Sequence, residues 1–154
     1  MYYTRYKPNL SIMRAGMDGS SPVTLVSASG DAYGIVIDFK ASKLFWPDDD
    51  HHIIQSSNLQ GGDRLTIVQL SNVYPHGIAF AKDRIYWGES ISKKLQSSTT
   101  AGDDITTLHT DSGGIRHLTV VPDFSLPRNR TNYCARHSCE KVCVLTATSF
   151  RCLT

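Results

Sequence analysis

The densest run of reactive side chains in this 154-residue sequence is Asp48-Asp49-Asp50-His51-His52. Three carboxylates beside two imidazoles are the residue types of a divalent-metal site or of a general acid/base pair. Their contiguity argues against both. Neighbours on an extended strand project to opposite faces, so five consecutive side chains cannot converge on one ion. The expectation is that Asp48 closes a strand and the rest forms a solvated turn. Six histidines, at positions 51, 52, 76, 109, 117 and 137, are spread along the chain. Clustered at a surface they would titrate between neutral and endosomal pH; taken singly they read as loop or surface residues. No serine, histidine and acid stand in a hydrolase motif, and glycine-rich phosphate loops and EF-hand spacings are absent. The expectation is a protein that is not an enzyme, with no catalytic residue, no cofactor and no metal.

The remaining reactive groups are four cysteines, Cys134, Cys139, Cys143 and Cys152, all within the last 21 residues. Four cysteines allow three pairings, and Cys139-x3-Cys143 is also a feasible zinc-ligand spacing. Because the body has none, the chain divides into a cysteine-free body (1–123), a linker containing Leu126-Pro127 (124–131) and a cysteine tail (132–154). Asn9-Leu10-Ser11 and Asn129-Arg130-Thr131 are glycosylation sequons, which place Asn9 and Asn129 as acceptors in a secreted protein. The net charge of +2 on 16 basic and 14 acidic residues, with the basic ones scattered, gives nucleic acid or an anionic membrane nothing to bind. No stretch approaches the roughly 20 apolar residues that would insert in a bilayer, and the N-terminus lacks the apolar run of a signal peptide.

The elements that must position these groups repeat. Tyr86-Trp87-Gly88-Glu89 is matched by Phe45-Trp46-Pro47-Asp48 and by Tyr2-Tyr3-Thr4-Arg5, with the first aromatic at 2, 45 and 86. Ile12, Ile54 and Leu95 follow in register. Next come turns at Asp18-Gly19-Ser20, Gly61-Gly62-Asp63 and Ala101-Gly102-Asp103, then β-rich segments at Val23–Val26, Leu65–Val68 and Ile105–Leu108. Each unit ends by entering a further strand after glycine, at Gly34, Gly77 and Gly114. No window has helical periodicity. About four short strands in a repeat of 40–45 residues is the form of a β-propeller blade, so the expected class is all-β. An ordinary sandwich needs no fixed period.

The aromatic-aromatic-x-acid motif at this spacing resembles the YWTD repeat of the low-density lipoprotein receptor family. Ile12-Met13-Arg14-Ala15-Gly16-Met17-Asp18-Gly19-Ser20 and Tyr74-Pro75-His76-Gly77-Ile78-Ala79 extend the likeness. The resemblance implies a YWTD-type β-propeller of which about three of six blades are present. In it Tyr2, Tyr3, Phe45, Trp46, Tyr86 and Trp87 are packing residues, and Asp48, Glu89 and Arg14 tie blades together. The tail resembles the first four cysteines of the EGF-like module that follows such propellers, which implies the pairs Cys134–Cys143 and Cys139–Cys152 in an oxidising compartment. The sequence departs from the family where Arg5 replaces the acid and where Ser56 and Ser97 replace the arginine, so weaker polar ties between blades are expected. Pro47 removes a backbone donor, which suits a strand end.

By resemblance, the function is that of an extracellular, non-catalytic protein-binding segment of an endocytic receptor or co-receptor, held outside the plasma membrane within a larger protein. Its partner would be an extracellular protein ligand. Alternatives within the same fold are a Wnt-type co-receptor propeller, a nidogen-like basement-membrane adhesion protein and, remotely, a calcium-dependent lactonase-like enzyme. Even four blades need roughly 168 residues, more than this repeat region offers. The missing blades of the same parent protein, or a second chain, are therefore expected to complete the ring and cover the strand edges.

Overall fold

The structure, a computed structural model, describes residues 1–6, 10–27, 30–110 and 113–120, together with the backbone of 142–145 and 150–153. Its regular elements are all strands. The first sheet has three: β1 (Tyr2–Arg5), β2 (Ser11–Arg14) and β3 (Val23–Ser27). The second has four: β4 (Val36–Asp38), β5 (Lys43–Asp48), β6 (Ile53–Asn58) and β7 (Leu65–Gln69). The third repeats the second, with β8 (Pro75–Ala81), β9 (Arg84–Glu89), β10 (Lys94–Thr99) and β11 (Thr106–Thr110). Each sheet is an antiparallel meander whose strands neighbour one another in chain order. A separate hairpin of β12 (Val142–Leu145) and β13 (Phe150–Leu153) lies in the cysteine tail.

The repeat survives in fine detail. The ladder slips at the same place in every sheet, between Ile12 and Met13, Ile54 and Gln55, and Leu95 and Gln96. A bulge at one position in each sheet gives each the same local bend and twist. The glycine turns are also copies. Gly16, Asn58 and Thr99 each donate their N–H to the carbonyl four residues on, at 2.8, 2.9 and 2.9 Å. Where the side chain allows, it braces the turn from inside. Asn58 Oδ1 accepts from Gln60 and Gly62, and Thr99 Oγ1 accepts from Ala101 and Asp103.

The aromatic pair divides its labour because adjacent strand residues face opposite ways. Phe45 packs toward the third sheet with Ile54, Val68, Ile78 and Trp87. Trp46 packs toward the first sheet with Ile12, Val26 and Leu44, and Tyr2 lies against the same cluster. The middle motif thus stitches its own sheet to the one before and the one after. Phe45, Trp46 and Trp87 are fully buried, and burying a side chain of that size contributes about 2–3 kcal/mol each. The polar ties between sheets are fewer. Tyr2 donates its hydroxyl to the Leu59 carbonyl at 3.3 Å, and Arg64 donates to the Ser27 carbonyl at 3.4 Å.

The third unit departs from the expected alignment. Its inner segment does not begin at Gly114. The groove along the inner strands is lined by Ile35–Ile37, Ile78–Phe80 and Leu118–Val120, so Leu118 stands where Ile35 and Ile78 stand. His117 then precedes Leu118 as Gly34 precedes Ile35 and Gly77 precedes Ile78. The Gly113-Gly114 pair drew the alignment three residues early.

Candidate functional site

At the end of each sheet where the second strand turns into the third, the chain also passes from one blade to the next. Sequence reasoning pointed to this end through residues 48–52. Asp48 terminates β5 and is only 1% exposed. Its Oδ1 accepts from the His51 backbone N–H at 3.1 Å and lies 2.8 Å from His51 Nδ1. The same cap recurs in the third sheet, where fully buried Glu89 accepts from the Ser92 hydroxyl and, at 3.2 Å, from Trp87 Nε1. An acid three residues ahead of a donor closes the turn in both, and Glu89 also holds the indole of its own strand.

The expected solvated turn is only half right. Asp50 and His51 are exposed, but Asp49 and His52 are partly buried. The blade-to-blade loop 30–35 folds over them, with the Asp49 N–H donating to the Asp31 carbonyl at 3.0 Å and the Asp31 N–H donating to Asp50 Oδ2 at 3.2 Å. Gly30 lies so close that a Cβ there would meet Asp48 Oδ1 at 2.1 Å. From the next blade, His76 Nε2 stands 3.7 Å from Asp49 Oδ2, and its ring contacts Tyr33 with centroids 4.5 Å apart. The Tyr33 hydroxyl donates to Asp31 Oδ2 at 2.9 Å, and His52 meets Tyr74 edge-on at 4.5 Å. Residues from two inter-blade loops and one turn therefore form one acidic, aromatic surface.

Its electrostatics follow from crowding. Burial pushes the Asp49 carboxyl above its ordinary value of 3.8; Asp50 and Asp31 push the same way, while His76 and His52 oppose them. Tyr33 is pushed up to about 12, first because its hydroxyl donates to the Asp31 carboxylate and then by desolvation. Asp48 Oδ2, Asp49 Oδ1, His52 Nδ1 and Trp46 Nε1 are buried without a hydrogen-bond partner among the described residues. Among the described residues, no three of His, Cys, Asp and Glu are grouped to hold a metal ion. The chemistry on offer is hydrogen bonding, attraction for a cation and aromatic contact.

Of the other predicted residues, Arg14 pairs across the ladder with Tyr2, as Ser56 does with Phe45 and Ser97 with Tyr86. In the third sheet Arg84 takes over part of the arginine's place, donating to Ser97 Oγ at 3.2 Å and pairing with Asp104 at 2.8 Å. Tyr3 is partly buried on β1. His109 is exposed on β11, away from the cluster. Asn9, Asn129, Cys134 and Cys139 lie outside the described residues, as does His137. Cys143 and Cys152 are Cα partners in the β12–β13 hairpin, and their pairing lies outside the described side chains. Asp31, Tyr33 and Tyr74 were not foreseen. Asp31 and Tyr33 sit outside the repeated motifs, and that departure is the signal that could have found them; Tyr74 opens the segment Tyr74–Ala79, which was read only for its likeness to the repeat.

No family model matches the chain. It is 30% identical over 148 residues to low-density lipoprotein receptor-related protein 5 of Mus musculus, a match covering 92% of this chain and 9% of that protein. It is 35% identical over 91 residues to protein cueball of Drosophila grimshawi, covering 56% of this chain and 15% of the relative. The chain thus spans only a small part of the relatives it matches. In three dimensions it is similar to a chain of the nidogen/laminin complex, with a TM-score of 0.67 and 24% identity over 74% of this chain and 45% of that one. The shared repeats, the ladder register and the propeller likeness agree. By its YWTD repeats the chain belongs to the low-density lipoprotein receptor-related family.

Proposed function

We propose that the chain is an extracellular protein-binding segment of a low-density lipoprotein receptor-related endocytic receptor or co-receptor, without catalysis. The observation that carries the reading is the cluster of Asp31, Tyr33, Asp49, Asp50 and His76 at one end of the repeating sheets. Binding residues concentrate on loops held by a stiff framework, and an aromatic flanked by acids suits a basic, partly apolar stretch of a protein surface. The curated relatives support the class, since they include a receptor-related protein and the vitellogenin receptor of Solenopsis invicta. The tail as an EGF-like module with disulfides, glycans at Asn9 and Asn129, and further blades in the parent protein belong to the same proposal.

The test is a binding screen of residues 1–154 against a panel of secreted proteins and ectodomains. Tyr33 is 45% exposed and Asp50 is exposed, so Tyr33→Ala and Asp50→Ala leave the scaffold intact. A saturable interaction weakened about tenfold or more by Tyr33→Ala supports the assignment. An interaction indifferent to both variants moves the binding face elsewhere, and ligand turnover dependent on added calcium would favour the enzymatic alternative.

A further inference from the structure

The second and third sheets carry the same polar joint beneath the turn after the aromatic motif, and they complete it differently. In the third sheet Glu89 divides its two oxygens: Oε1 accepts from Trp87 Nε1 at 3.2 Å, and Oε2 accepts from the Ser92 hydroxyl. In the second sheet His51 takes the place of Ser92 and occupies Oδ1 of Asp48. Its backbone N–H donates to that oxygen at 3.1 Å, and its Nδ1 lies 2.8 Å away. Only Oδ2 remains for the indole. Oδ2 and Trp46 Nε1 are both buried, and neither has a partner among the described residues. Both side chains lie deep in the sheet, with Trp46 at 0% and Asp48 at 1% exposure.

Side-chain length explains why this joint is not closed directly. Trp46 and Asp48 are two apart on β5, as Trp87 and Glu89 are on β9, so each pair shares one face of its strand. Asp48 is one carbon shorter, which withdraws its carboxylate by up to about 1.5 Å. A 3.2 Å bond opened by that much spans roughly 4.5–5 Å, the separation of two groups joined through a single water. The carboxylate is also held where it is. A Cβ on Gly30 would meet Asp48 Oδ1 at 2.1 Å and His51 Nδ1 at 2.8 Å, so the inter-blade loop closes directly over this pair.

Donor and acceptor types then select the guest. It must accept from an indole N–H and, in the same place, donate to a carboxylate oxygen. A metal ion cannot accept, and a bare anion or carbonyl cannot donate. Water does both, and it spares two buried groups the penalty of remaining unpaired. We propose that Trp46 and Asp48 bind one structural water, which accepts from Trp46 Nε1 and donates to Asp48 Oδ2 beneath the loop that carries Asp31 and Tyr33. The water replaces the methylene by which Asp48 falls short of Glu89. This site does not depend on what the overlying face binds.

The experiment exploits the chain's two tryptophans, which give two indole N–H signals in a proton–nitrogen spectrum of residues 1–154. In the parent, the Trp46 indole should show a direct Overhauser contact to a long-lived water, and the Trp87 indole none. Asp48→Glu should abolish the Trp46 contact, and Glu89→Asp, which shortens the third sheet's acid in the same way, should create one at Trp87. Oxygen-17 relaxation dispersion should count one long-lived water fewer in Asp48→Glu and one more in Glu89→Asp. If either variant fails to fold, the parent and the other variant still decide. No water contact at Trp46 in the parent, a contact that persists in Asp48→Glu, or a folded Glu89→Asp that gains none would each overturn the proposal.

Discussion

Glu89 and Asp48 occupy the same place in two blades and end with different balances. Glu89 is long enough to accept from both Trp87 and Ser92. Asp48 is one methylene shorter, and neither Trp46 Nε1 nor Asp48 Oδ2 has a partner among the described residues. Glu89→Ala is expected to destabilise the chain by about 2–4 kcal/mol in urea unfolding, since two buried donors lose their acceptor. Glu89→Gln keeps one acceptor oxygen and should cost less. Asp49 allows a prediction with pH. Its carboxyl is raised above 3.8 in the fold, chiefly by burial, so the folded state binds that proton more tightly than the unfolded one. This contribution favours the fold at low pH and is lost as pH rises from the unfolded value through the folded one. Asp49→Asn should therefore raise the melting temperature at pH 7 by a few degrees, and the gain should shrink toward pH 4. A constant gain across that range would count against a buried, ionised Asp49.

The repeated turns allow a controlled comparison among elements. Gly61 and Gly19 have nearly the same backbone, with φ of +87° and +81°. Only Gly61 rests on a neighbour. Gly19→Ala should cost about 1 kcal/mol, the strain of a left-handed residue bearing a Cβ. Gly61→Ala should add about 1–3 kcal/mol more, because the Leu25 backbone must move. Gly30→Ala belongs with the second kind, since its Cβ would meet Asp48 Oδ1 at 2.1 Å and Asp48 is too buried to yield. Chemical denaturation of the three variants orders them; equal costs at Gly19 and Gly61 would mean that the inter-blade seat carries no load. The turn chemistry was legible from Asp18-Gly19, Gly61-Gly62 and Gly102-Asp103. Which of these turns touched another blade was not.

Over the whole molecule, repetition makes stability a sum of sheets and the contacts between them. Ser56 and Ser97, in place of the arginine, are expected to leave the blades with weaker polar ties. The described inter-blade polar ties include long bonds from Tyr2 and Arg64, while the apolar clusters around Trp46 and Trp87 hold the blades together. Salt should consequently have little effect: raising ionic strength from low to about 1 M sodium chloride should move the unfolding midpoint only slightly. A strong fall would reveal ion pairs carrying the junctions.

The sequence by itself determined the class of fold, the length of the repeat and the aromatic positions that mark each blade. These rest on local chemistry: β-branched and aromatic residues mark the strands, and glycine stands at the repeated turn positions of Gly19, Gly61 and Gly102, where φ reaches +81° to +91°. It also marked Asp48–His52 as unusual. Only the tertiary structure decided that Leu118, three residues beyond the expected position, lines the inner groove, because spacing alone could not choose between Gly114 and His117. Only the fold brought Asp31, Tyr33 and His76 to Asp49 and Asp50, since they come from a loop, the start of β8 and a turn, 16 to 45 residues apart in the chain, that no local pattern connects. Copies of one motif read the same in sequence and differ only in what packs against them.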